Sequence, residues 1–224
     1  MLPTLSPMTE PVSPSDGLAV LHLFCKISPS SQGPAIRSAV AGAREAGNQV
    51  VTAALLGHKA DIGFMILGRD LWQLRSLQTA LTSAGLEIVD SFVSLTEISE
   101  YAAGLPEAMK ETRLRPQLPP EGKPAFCFYP MSKRRGEKDN WFTLPADERS
   151  ALMHEHGTSG RAFAGRILQV ITGSTGLDDY EWGVSLFGQH PDDLKEVVYT
   201  LRFDEASAVY AEFGPFYVGM VEDL

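Results

Sequence analysis

One six-element order, read twice along the chain, leaves few folds open. Residues 17–28, "GLAVLHLFCKIS", are rich in strand formers and bounded by turn residues, so they predict a strand. Residues 33–47 carry helical apolar spacing, with Pro34 near the start and Gly47 at the end. Residues 48–57 and 60–70 predict a strand pair, 71–85 a helix closed by Gly85, and 86–99 a returning strand. After a proline-rich linker the order begins again. Residues 125–135 predict a strand, 144–165 a helix, 166–173 and 180–188 two strands, 190–214 a helix or a broken pair, and 215–221 a last strand. β-α-β-β-α-β is the ferredoxin-like arrangement, and two such halves with their sheets packed face to face predict an α+β architecture. The expected organisation is a flexible tail at 1–16, an N-terminal half at 17–100, a linker at 101–124 and a C-terminal half at 125–224.

Charge and composition exclude some partners. The chain has 19 Lys and Arg against 28 Asp and Glu, so its net charge is −9, which argues against nonspecific nucleic-acid binding. No apolar run reaches the ~18 residues a membrane helix needs. The first residues, "MLPTLSPMTEPVSPSD", lack the basic start and apolar core of a signal peptide, which predicts a flexible tail on a cytoplasmic protein, with Met8 an alternative start. Cys25 and Cys127 lie in apolar strand-like runs without metal-site spacing and read as reduced core thiols.

The chemistry concentrates in "LMHEHGTSGRAF", residues 152–163. At about 100° per residue, Met153, Gly160, Ala164 and Ile167 form one apolar stripe. His156 lies about 40° from Gly160 on this projection and faces inward, whereas His154 lies about 120° away and faces solvent. An inward histidine is often only a core residue bonded to a carbonyl. Gly157 and Gly160 weigh against that reading, because each costs about 1 kcal/mol relative to Ala in a helix. Their absent side chains suit a flat macrocycle whose iron is held by a lone proximal imidazole.

Four blocks then carry a resemblance: "YPMSKRR" (129–135), "NWFTLPADERSALMHEHGTSGR" (140–161), "QVITGSTGLDDYEWGVSLF" (169–187) and "LRFDEASAVYAEFGPFYVG" (201–219). Together they resemble the chlorite dismutase superfamily, and most of all its coproheme decarboxylase branch. The resemblance is dense across the C-terminal half; the N-terminal half is similar in fold pattern alone. It implies duplicated ferredoxin-like halves forming a dimeric-α/β-barrel-type subunit, assembled as a homo-oligomer, often a pentamer. It implies an iron porphyrin as cofactor, with coproheme as substrate, haem b as product and hydrogen peroxide as oxidant.

The same resemblance assigns residues. The proximal histidine in "EHG" matches His156, the redox tyrosine before "PM" matches Tyr129, and a lysine four residues on matches Lys133. The distal position matches Gln169, where chlorite-splitting members carry arginine. Arg115 and Ser207 match propionate-binding positions, and Arg161 and Arg202 are further candidates whose alternative is a helix-end or surface ion pair. Tyr129, Met131 and Lys133 share one face of an ideal strand. Glutamine cannot steer an anionic oxychlorine species but can donate a hydrogen bond to peroxide. Two alternatives remain: a peroxidase or chlorite dismutase-like protein, and a noncatalytic haem-delivery protein.

Overall fold

A computed structural model describes residues 10–224. The expected flexible tail therefore lies partly, and Met8 wholly, outside the described residues. Residues 10–16 carry no helix or strand, and Val12 is tied to Asp70 and Leu71 through its backbone N–H and carbonyl.

The first half runs β1 (Ala19–Lys26), α1 (Gly33–Glu45), β2 (Gln49–Leu55), β3 (Ile62–Gly68), α2 (Leu71–Ser83) and β4 (Glu87–Thr96). Local chemistry sets these bounds. Pro34 sits in the first turn of α1, and the Asp70 carboxylate caps α2 by accepting from the Trp72 N–H. Gly85 ends α2 at φ +89°, a left-handed conformation in which an added Cβ would also lie 2.5 Å from the Ser30 carbonyl oxygen. A short α3 (Glu107–Leu114) lies in the linker.

The second half runs β5 (Ala125–Lys133), α4 (Ala146–Arg161), β6 (Ile167–Gly173), β7 (Trp182–Gly188), α5 (Pro191–Leu201), α6 (Glu205–Ala208), β8 (Ala211–Phe213) and β9 (Tyr217–Glu222). The helix expected at 144–165 is shorter than its apolar spacing suggests. Ala164 and Ile167 fall beyond its end, Gly165 turns at φ +83°, and Ile167 opens β6.

The expected fold class needs correction. The halves do not keep separate sheets packed face to face as a dimeric-α/β-barrel-type subunit. All the strands belong to one nine-stranded sheet of order β7-β6-β4-β1-β3-β2-β9-β5-β8, with β5 also paired to β7. The halves join by hydrogen bonding, through β2 with β9 and through β4 with β6, the latter only at Leu95–Gly173 and Thr96–Thr172. The sheet branches at β5, which carries β9 and β8 as well as β7, so it is not a simple closed barrel and β8 remains an edge. The architecture is α+β with a single large antiparallel sheet.

Alternation along each strand feeds layers on both faces of this sheet. In β1, Ala19, Leu21, Leu23 and Cys25 pack with Leu74, Leu77 and Leu81 of α2 and Ile36 and Val40 of α1. Val20 and Phe24 turn the other way and join Phe92, Phe126, Phe128, Phe187 and Tyr217. In the second half, Cys127, Tyr129, Val184 and Leu186 meet Leu194, Val197 and Leu201 of α5. Both cysteines are free and buried, and burial pushes their thiols up to about 12. Among the described residues no helix is long and apolar enough to cross a membrane.

His22 breaks the apolar pattern of β1. It is 1% exposed, its Nε2 lies 3.0 Å from the Ser185 hydroxyl, and its Nδ1 has no partner. Burial drives its pKa down to about 3, so the folded protein keeps it neutral. The unfolded chain takes up this proton below about pH 6.5, so stability falls as pH drops from about 6.5 towards about 3. At pH 4.5 the loss approaches about 3 kcal/mol, two units at about 1.4 kcal/mol each. His22→Leu is expected to flatten the acid limb of a plot of urea midpoint against pH; equal slopes in the two proteins would contradict this assignment.

Candidate functional site

His156 is positioned by the packing of α4. Asp147 and Glu148 in the first turn and Arg161 in the last complement the helix dipole. Leu152 is the buried residue of this helix and packs with Trp141, Ala206 and Tyr210, with Met153 partly buried beside it. One turn after Leu152, His156 reaches the same neighbourhood. Its Nδ1 lies 3.0 Å from Asp204 Oδ2 and 3.3 Å from the Ser207 hydroxyl. Asp204 is almost fully buried, and its Oδ1 accepts from the Ser207 N–H as the N-cap of α6. A histidine whose Nδ1 is held by a buried carboxylate has a fixed tautomer and ring orientation, the arrangement that prepares an imidazole to bind a metal. The side chain remains 25% exposed, and its Nε2 makes no hydrogen bond among the described residues. His154 is exposed, as its helical face predicts.

The glycines beside it leave room. A Cβ at Gly160 would meet nothing within 4 Å, and one at Gly157 would meet only Arg161 Nη1 at 3.9 Å. Among the described residues no group of three or more His, Cys, Asp or Glu is arranged to hold an ion. The donor set is thus one imidazole next to open space, which fits a metal that arrives with its own equatorial ligands.

Lys133 approaches α6 from β5. It is 8% exposed, its ammonium donates to the Ala206 carbonyl at 2.5 Å, and it sits 4.3 Å from the centre of the Trp141 ring. Burial lowers its pKa to about 8, opposed by the carboxylates of Asp204 and Glu181. Glu181 also accepts from the Lys133 N–H and pairs with Arg135.

Tyr129 lies on the same face of β5, two residues before Met131 and four before Lys133. It is 4% exposed, and burial holds its phenol well above the usual range, with the Arg202 guanidinium acting in the opposite sense. Phe216 stacks on its ring at 4.6 Å and Phe213 meets it edge-on at 5.6 Å. Arg202 lies 5.7 Å from the Phe213 ring centre.

Register places Gln169 on this face too. Tyr129 is opposite Val184, Val184 is opposite Ile171, and Gln169 is two residues from Ile171 on β6. Its side chain is exposed. The remaining candidates are engaged elsewhere. Arg115 caps α3 and bonds Asp16 and Glu111, both at 2.7 Å. Arg161 donates to Thr158 on the surface of its own helix. Ser207, expected on a propionate, has its hydroxyl 3.3 Å from the His156 Nδ1.

Asp204 is the member that sequence reasoning passed over. Its signal was present in "FDEAS", where an Asp precedes a short helix and a Ser follows at the third position. Its partner His156 is 48 residues away, so the cap reads as local until the two helices are placed together.

Comparison with known proteins gives a consistent picture. The family model described as chlorite dismutase matches residues 33–222. The chain is 45% identical over 179 residues to a coproheme decarboxylase of Staphylococcus carnosus, covering 75% of this chain and 70% of that one. It is 45% identical over 175 residues to a coproheme decarboxylase of Thermus thermophilus, again covering 75% and 70%. Among solved structures, a haem-binding protein from Thermus thermophilus superposes with a TM-score of 0.82 at 38% identity, covering 93% of this chain and 92% of that one. A chlorite dismutase from Candidatus Nitrospira defluvii shares the fold, with a TM-score of 0.73 at 21% identity over 93% and 92% of the two chains.

Proposed function

This chain belongs to the chlorite dismutase family, and from that membership we propose that it is a haem-dependent oxidoreductase of haem biosynthesis, decarboxylating iron coproporphyrin III to haem b with hydrogen peroxide. The observation that carries the reading is His156, with Nδ1 held by Asp204 and Ser207 and Nε2 left for iron. Relatives at 45% identity that are coproheme decarboxylases support it.

For each of two propionates the balance is R–CH2–CH2–COO⁻ + H2O2 + H⁺ → R–CH=CH2 + CO2 + 2 H2O. When bound, the iron porphyrin supplies the centre at which peroxide takes up two electrons per propionate. The chain's residues divide the remaining work. His156 holds the iron, and Asp204 keeps its imidazole oriented. Tyr129, as a phenol, would give up a hydrogen atom to the peroxide-derived oxidant and regain one from the β-carbon of the propionate; the carbon radical so formed would yield the second electron to the same oxidant as CO2 leaves. Lys133 offers an ammonium already stripped of water, so a carboxylate replacing the Ala206 carbonyl would gain a strong charge-assisted bond. Arg202 lies near the phenol, and Met131 shares its strand face. Arg115, Arg161 and Ser207 complete the propionate-binding set, Arg115 by leaving Asp16 or Glu111 and Ser207 by turning its hydroxyl away from the His156 ring, which Asp204 alone then holds. Gln169 donates a hydrogen bond to peroxide or water. Without an arginine at that position, the site lacks a cation to steer chlorite. The protein acts in the cytoplasm, where two free buried thiols suit a reducing compartment, and assembles as a homo-oligomer, a pentamer.

Mass spectrometry of protein-bound coproheme during a peroxide titration tests this. The porphyrin should lose CO2 and two hydrogen atoms from each of two propionates. An unchanged mass would identify a delivery protein. Oxygen release from chlorite, or turnover of small donors with intact propionates, would identify the other alternative.

A further inference from the structure

Resting on the role of Tyr129 just given, we propose that Phe216 is a positioning residue for this tyrosine, and that Lys59 in the first half of the chain holds it there. The segment 213–216, "FGPF", arches over Tyr129 between β8 and β9. Phe216 lies nearly parallel to the phenol ring, 25° from it, while Phe213 closes the edge at 65°. Both phenylalanines are half-buried, whereas Tyr129 beneath them is 4% exposed, so the pair forms the layer between the phenol and solvent.

The arch is clamped at both ends. The Gly214 N–H donates to the Pro130 carbonyl at 2.9 Å, one residue from Tyr129. A Cβ at Gly214 would lie 2.7 Å from both Pro130 Cγ and Tyr180 Cζ, so only glycine lets the chain pass this close. At the other end the Lys59 ammonium, from the turn between β2 and β3, donates to the Phe216 carbonyl at 2.7 Å and lies 5.7 Å from the centre of the Tyr217 ring.

Two effects follow for a tyrosine that exchanges hydrogen atoms. Stacking holds the ring in one orientation, so the phenol oxygen is kept in one place. Exclusion of water keeps the proton on the phenol and keeps stray donors from an oxidised ring. The groups bearing on the phenol's charge are then Arg202, which favours the phenolate, and Cys127, which disfavours it. The Lys59 bond makes the second half's tyrosine depend on a loop of the first half.

The test uses the full chain in two assays. In the porphyrin-free protein, ultraviolet difference titration of Phe216→Leu should reveal one phenol returning towards about 10, and this phenol should vanish when Tyr129→Phe is added. Loaded with coproheme, Phe216→Leu should consume severalfold more peroxide per CO2 released, at nearly unchanged KM, while Phe216→Trp stays coupled. Lys59→Met, which leaves every aromatic in place, should shift both readouts the same way and carries the test should Phe216→Leu not fold. Wild-type titration together with wild-type peroxide coupling in the folded variants would overturn the proposal. Full decarboxylation by Tyr129→Phe alone would instead overturn the radical role, whatever the titration shows.

Discussion

Tyr129→Phe is expected to bind coproheme as tightly as the wild type and to release CO2 with peroxide at about a thousandth of its rate, a loss of about 4 kcal/mol in transition-state stabilisation. The substitution removes one oxygen from a ring whose packing is otherwise apolar. Phe216 and Phe213 can stack on a phenyl as they do on the phenol, and Val184 across the sheet is untouched. The phenol is desolvated, so losing it leaves no large hole and relieves a polar burial. Stability should change by less than about 1 kcal/mol. A loss of rate at constant affinity and constant fold is the signature of a group that acts only in the chemical step. Chromatography of porphyrins after peroxide addition measures it; wild-type yields of haem b would remove Tyr129 from the reaction.

The second large effect concerns the metal. His156→Ala should weaken coproheme binding by at least about a hundredfold, beyond the tenfold to hundredfold loss typical when an outer partner of a metal ligand is removed. The visible spectrum should lose the bands of an imidazole-bound ferric porphyrin. Asp204 would be left buried without the imidazole, keeping only the Ser207 N–H and any proton it acquires, so the variant should also be less stable. Added imidazole should restore the spectrum in part, because the space vacated borders the open region at Gly157 and Gly160. An unaltered Soret band and unweakened affinity in His156→Ala would contradict the assignment of the iron ligand.

The elements of this fold are largely legible one by one. Strands such as β1 and β7 announce themselves as apolar runs ended by glycine or charge, and Asp70, Pro34 and Pro191 mark helix starts by chemistry that acts within a few residues. What strand patterns cannot express is how sheets join. The contacts of β4 with β6 and β2 with β9 link residues far apart in sequence, so strand patterns alone predict two sheets where one exists. The overlong α4 has a similar cause. Its apolar spacing continues through Ala164 and Ile167, but the left-handed turn at Gly165 hands the latter to a strand. At the site, helical geometry distinguishes His156 from His154, since facing is a property of one helix. Asp204, and the placement of Ser207 on the imidazole, depend on a second helix arriving from 48 residues away.

Asp204 and the first three residues of α6 take on two attachments at once: the Asp204 and Ser207 side chains grip the histidine, and the Ala206 carbonyl grips the lysine. So compact an anchor cannot yield on one side alone. Sliding it by a fraction of an ångström displaces both partners together, which makes residues 204–207 a single dial rather than four. Mutant libraries drawn from this stretch should therefore produce correlated changes in iron redox potential and in substrate grip, and rarely a change in either without the other.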